Sequence, residues 1–62
     1  MDVLGIYIFN SSRNQWLQED EKSWGPFHGA CEFTPGNEET AEGIRERETP
    51  AGETTFTMAA LH

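Results

Sequence analysis

At 62 residues the chain makes one small domain (1–62) and buries only about 60% of the surface its unfolded form exposes, a thin margin that small proteins usually reinforce with disulfides, metals or a partner subunit. Its single cysteine, Cys31, excludes an internal disulfide and any four-cysteine or two-cysteine, two-histidine zinc site within one chain. Four Lys and Arg stand against 11 Asp and Glu, for a net charge of −7, which disfavours nucleic acid and anionic membranes and fits basic partners or none.

Met1-Asp2 places an acid where a secretory leader needs Lys or Arg, and no apolar run approaches the length of a spanning helix. With a lone thiol, this predicts a cytoplasmic protein. Val3 to Phe9 is rich in β-branched and aromatic residues and reads as a strand, closed by the turn cluster Asn10-Ser11-Ser12-Arg13-Asn14. Both of its faces are apolar: Val3, Tyr7 and Phe9 on one, Leu4, Ile6 and Ile8 on the other. A strand of that kind is central in its sheet or lies at an interface.

Gln15 to Gln18 is expected to return antiparallel after a loop of about four or five residues. Glu19 to Ser23 reads as a second turn. Trp24 to His28 starts another short strand that Gly25-Pro26 breaks, because proline lacks the ladder N–H. Ala30 to Phe33 is expected to be the third strand. Thr34-Pro35-Gly36-Asn37 is a turn in which either Thr34 or Asn37 can cap a helix.

The helix predicted over Glu38 to Glu48 carries Glu38, Glu39 and Glu42 early and Arg45 and Arg47 late, an order that complements its dipole. Ala41 and Ile44 form a narrow apolar stripe, extended by the stems of Arg45 and Glu48. Gly43 weakens it by about 1 kcal/mol relative to alanine, so it needs a sheet to pack on. Thr49 to Gly52 stops it. Glu53 to Leu61 alternates, with Thr54, Phe56, Met58 and Ala60 on one side and Thr55, Thr57, Ala59 and Leu61 on the other. The fold class is therefore α+β: a small antiparallel sheet of three to four strands, in the order β-β-β-α-β, with one short helix on one face.

The series Tyr7, Trp16-Leu17, Trp24, Ala30-x-x-Phe33 and Glu39-x-Ala41 resembles small bacterial and phage α+β proteins with a Y…WL…W…AxxF…EEA pattern. The resemblance covers Ile6 to Ile44 and implies an opening strand, a hairpin strand, the Ala-x-x-Phe segment and a short helix in that order. It carries over no catalytic residue.

Little in the chain carries chemistry. His28-x-x-Cys31 with Glu32 could be written as a metal site, but the spacing is not a metal signature and alternation turns Glu32 away from Cys31. Cys31 lacks the positive neighbour that would make a thiolate, and phosphate-cradling glycine motifs are absent. Neither an enzyme, a cofactor nor a metal is expected. Sheet aromatics can stack bases, yet such faces are framed by Lys and Arg, and the basic side chains here are Arg13, Lys22, Arg45 and Arg47. The aromatics are therefore expected to be the core. One helix covers one sheet face, so loops or a second copy must cover the other, and a homodimer is expected. Two functions follow: a non-enzymatic, self-associating interaction or accessory module, or an acidic inhibitor of phage type that mimics nucleic acid. The candidate surface is acidic: Glu19, Asp20, Glu21, Glu38, Glu39 and Glu42.

Overall fold

The computed structural model describes the backbone of residues 3–61 and the side chains of residues 5–60. The readings that rest on Met1 and Asp2, and the face assignments of Val3, Leu4 and Leu61, lie outside that description. Four strands, β1 (Val3–Asn10), β2 (Gln15–Leu17), β3 (Trp24–Gly25) and β4 (Thr55–Leu61), form one antiparallel sheet in the order β3-β2-β1-β4. Helix α1 (Glu38–Glu48) crosses one face. This is the small α+β fold expected, with the doubly apolar β1 in the interior of the sheet.

Register decides which residues share a face. Phe9 lies opposite Trp16 on β2 and Phe56 on β4, and Tyr7 lies opposite Met58. On the other side of the pleat Ile6 meets Ala59, Ile8 meets Thr57 and Asn10 meets Thr55. That second face receives the helix. Ile6, Ile8, Leu17, Phe33, Ala41 and Ile44 form the buried core, with Trp24 and Cys31 packed against it.

The core is thus mainly aliphatic, which corrects the expectation that the aromatics would fill it. Phe33 is its one buried ring among the described residues. The reason is steric and chemical. The stripe of α1 is narrow and small, so Ala41 and Ile44 fit the shallow relief of Ile6 and Ile8. Its flanking polar groups also find hydroxyls on that side of β4. Glu42 accepts from Arg45 (2.8 Å) and from Thr57 Oγ1 (2.7 Å), and Thr49 Oγ1 lies 2.6 Å from Thr55 Oγ1. On the aromatic side the described β4 side chains, Phe56, Met58 and Ala60, carry no hydroxyl.

Two further readings are corrected. Trp24–Gly25 is a strand, but Pro26 ends it and Phe27–Gly29 forms a 3-10 turn. Ala30 to Phe33 is extended without being a strand. It first bonds β2, through the Gln18–Ala30 bridge and Cys31 N–H to Leu17 O (2.8 Å), and then crosses to β1 through the Ile6–Phe33 bridge. Changing neighbours within four residues interrupts any ladder. Asn37 occupies the N-cap position of α1 but its side chain donates to Thr34 Oγ1 instead of capping.

The two loops beside Asn10 are tied together. Asn10, fully buried, donates from Nδ2 to Glu53 Oε1 (2.7 Å) and accepts from the Arg13 N–H (3.1 Å). Arg13 completes the knot with a two-pronged pair to Glu53 (2.8 and 3.0 Å). Gly52, at φ +83°, makes the turn in which Glu53 N–H reaches Pro50 O (3.0 Å), a geometry that favours glycine.

Candidate functional site

The face of the sheet opposite α1 carries the candidate site. β1 contributes Tyr7 and Phe9, β2 Trp16, and β4 Phe56, Met58 and Ala60, each placed there by the alternation and register above. Phe27 comes from the 3-10 turn. Its ring lies 4.9 Å from Tyr7 and 5.0 Å from Trp16, and Trp16 in turn lies 4.7 Å from Phe9, all within the range of attractive ring packing.

Gln18 holds the Phe27 turn in place. Its Nε2 donates to Trp16 O (2.9 Å) and Pro26 O (3.0 Å), so β2 and the turn share one side chain. Gly29 leaves the room this side chain occupies, because a Cβ there would displace Gln18 Oε1. At the other end of the face Glu32 lies over Gly5, whose missing side chain makes room, and its Oε2 accepts the Tyr7 hydroxyl at 2.7 Å. Accepting that bond, the Glu32 carboxylate pushes the Tyr7 pKa up.

The result is a ring cluster that the turn covers only in part. Phe27 is 51%, Phe56 50% and Met58 45% exposed. An open cavity of about 340 Å³ lies between Tyr7, Trp16, Phe27, Met58, Ala59 and Ala60, within the size range of binding clefts. Large apolar groups held apart from the core at this density mark interaction surfaces. The sequence marked out this uncovered face, but the residues singled out there as a candidate surface were the acidic ones. Phe56 and Met58 share an alternation with Thr54, whereas the hydroxyls a charged helix can use, Thr55 and Thr57, lie opposite.

The acidic residues fall into two groups on different elements. Glu19, Asp20 and Glu21 occupy the β2–β3 turn, where Asp20 accepts from the backbone N–H groups of Lys22 and Ser23 (2.9 Å each) and from Ser23 Oγ (2.6 Å). Those bonds, the Ser23 ones first, lower its pKa to about 2. Glu38, Glu39 and Glu42 lie on α1. Glu38 accepts from the Gly36 N–H (3.0 Å), and Glu42 is engaged by Arg45 and Thr57; in both the bonding holds the carboxyl below its ordinary range.

His28 is exposed on the 3-10 turn, Cys31 is half-buried against the core, and Glu32 points to Tyr7. Burial, then the charges of Glu21 and Glu19, push the Cys31 thiol up, the opposite of what nucleophilic activation needs. Among the described residues no three His, Cys, Asp or Glu side chains cluster as metal ligands, and no helix is long and apolar enough to cross a membrane. No protein family, curated protein or solved structure matches the chain, so its own geometry carries the functional reading.

Proposed function

We propose that the chain is a non-enzymatic interaction module whose working surface is the open aromatic face of the sheet, and that it takes a partner-protein segment combining apolar side chains with Lys or Arg. The observation that carries this reading is the half exposure of Phe27, Phe56 and Met58 on a face the chain itself leaves uncovered. The cationic half of the partner follows from charge. The chain carries −7, and Glu32 places a carboxylate at the rim of the rings, where a guanidinium could pair with it while stacking on an aromatic face.

The acidic-mimic reading has less support, because its six carboxylates are divided between the β2–β3 turn and α1 and form no single face. Peptide display against the immobilised protein tests the proposal. Enriched peptides should pair aromatic or aliphatic residues with Arg or Lys and should lose binding to a Phe27→Ser, Trp16→Ala variant. Peptides that bind this variant as well as the parent would overturn it.

A further inference from the structure

The sheet ends on β4, and the register shows which of its backbone groups are free. Ile6 exchanges both backbone hydrogen bonds with Phe33, on the β2 side of β1 (2.8 Å each). Alternation therefore turns the N–H and C=O of Gly5, Tyr7 and Phe9 toward β4. In phase with them, the Ser11 N–H donates to Thr54 O at 3.0 Å. Ala60, Met58 and Phe56 are thus paired within the sheet, and Thr57 and Ala59 direct their N–H and C=O out of it. Arg45 meets the outward Thr55 carbonyl (3.4 Å), so one end of the edge is capped.

Soluble proteins blunt such edges with charges, proline or a bulge. The edge strand here reads Thr55-Phe56-Thr57-Met58-Ala59-Ala60-Leu61 and contains neither a charge nor a proline. The register shift falls between Val3 and Gly5 of β1, so β4 itself runs regularly. Met58 and Ala59 are exposed. An edge of this kind is a template for another strand.

We propose that β4 pairs antiparallel with β4 of a second copy across a two-fold axis at Met58, joining two four-stranded sheets into one. This register gives the longest overlap of β4 with its copy, with the capped Thr55 at the end of it. It sets Thr57 opposite the partner's Ala59, so the outward groups of both satisfy each other, and by symmetry the exchange occurs twice. It also sets the large Phe56 opposite the partner's small Ala60, beside the open cavity that Ala60 lines. Centring on Thr57 or Ala59 would satisfy the backbone but forfeit that large-to-small match and part of the overlap.

The axis stands perpendicular to the sheet, so both helices share one face and the two aromatic faces merge into one platform. The contact is made by an edge and does not depend on the partner-binding reading. Each copy would bury on the order of 400–500 Å², the small end of specific interfaces, so the dimer dissociates on dilution. Both copies carry −7 while β4 carries no charge, so the electrostatic term is long-range repulsion that salt screens.

Sedimentation velocity from about 1 μM to about 1 mM, in low and high salt, tests the assignment. The full chain should pass from monomer to dimer, with association tightened by salt. Ala59→Pro removes an outward N–H that bonds nothing within the sheet and should weaken association at least tenfold. Met58→Glu, at an exposed position, sets like charges across the axis and should do the same while keeping the native circular dichroism. Phe27→Ser should leave association unchanged although it disables the aromatic face. A chain that stays monomeric throughout, a folded Met58→Glu protein that dimerises like the parent, or a dimer lost on Phe27→Ser would each overturn the proposal.

Discussion

Ile8→Ala and Phe27→Ala separate an aliphatic core from an aromatic one. Ile8 is fully buried beneath α1, and truncation removes three carbons at about 0.8 kcal/mol each. A residual cavity adds to that, for a total of about 3–4 kcal/mol. Phe27 is the larger side chain, yet 51% of it is exposed. Its buried half, roughly 100 Å², is worth at most about 2.5 kcal/mol at 25 cal/mol per Å². Part of that survives in alanine and part is already buried in the unfolded ensemble, so the loss should be about 1–2 kcal/mol. A chain of this size holds about 3–9 kcal/mol in all. Ile8→Ala should therefore be largely unfolded in dilute urea, whereas Phe27→Ala should keep a cooperative transition with a modestly lower midpoint. Urea titrations followed by circular dichroism at low protein concentration measure both. A loss for Phe27→Ala equal to or above that for Ile8→Ala would refute the placement of the rings outside the core.

Asn10→Ala should cost about 1–3 kcal/mol, since it removes a fully buried amide from the Glu53 and Arg13 knot and leaves its partners unsatisfied; the urea midpoint reports it. Gly52→Ala forces a Cβ into φ +83° and should cost about 1–2 kcal/mol, with the far-ultraviolet spectrum unchanged. Stability should also fall on acidification. The folded pKa values of Asp20, Glu42 and Glu53 lie below their ordinary ones, so their contribution is complete above about pH 5 and is lost as pH drops through the folded values, reaching about 2 for Asp20. Thermal melts between neutral pH and about pH 2 should show a falling Tm, and Asp20→Asn should flatten the lowest part of that curve; an Asp20→Asn curve parallel to the parent's would refute the assignment.

Much of the fold was legible because local rules dictate it. Turn residues at Asn10 to Asn14 and a β-branched run before them specify the first hairpin. The charge order and the Ala41, Ile44 pair locate α1 and the two residues it buries. Alternation sorted Tyr7 and Phe9 from Ile6 and Ile8, and Phe56 and Met58 from Thr55 and Thr57. The segment from Ala30 to Phe33 was misread because its composition suits a strand, while its pairing depends on two neighbours that local sequence cannot place. How far the acidic candidates are engaged within the fold was not legible for a related reason. Acidic residues announce themselves one by one, but whether a carboxylate is free depends on donors such as the Gly36 N–H and Thr57 Oγ1, which arrive through tertiary contact.

Sequence by itself determined which residues travel together on each face of each strand, because the pleat has a period of two and admits no other grouping. It also determined that one face would be left without a helix, since the chain holds material for one. Which face is covered was decided only by tertiary structure. The central strand β1 is apolar on both sides, so its hydrophobicity does not choose. The choice comes from relief and hydrogen bonding across the packed layers. A small stripe flanked by Glu42, Arg45 and Thr49 settles on Ile6, Ile8, Thr55 and Thr57, and the rings are left facing out.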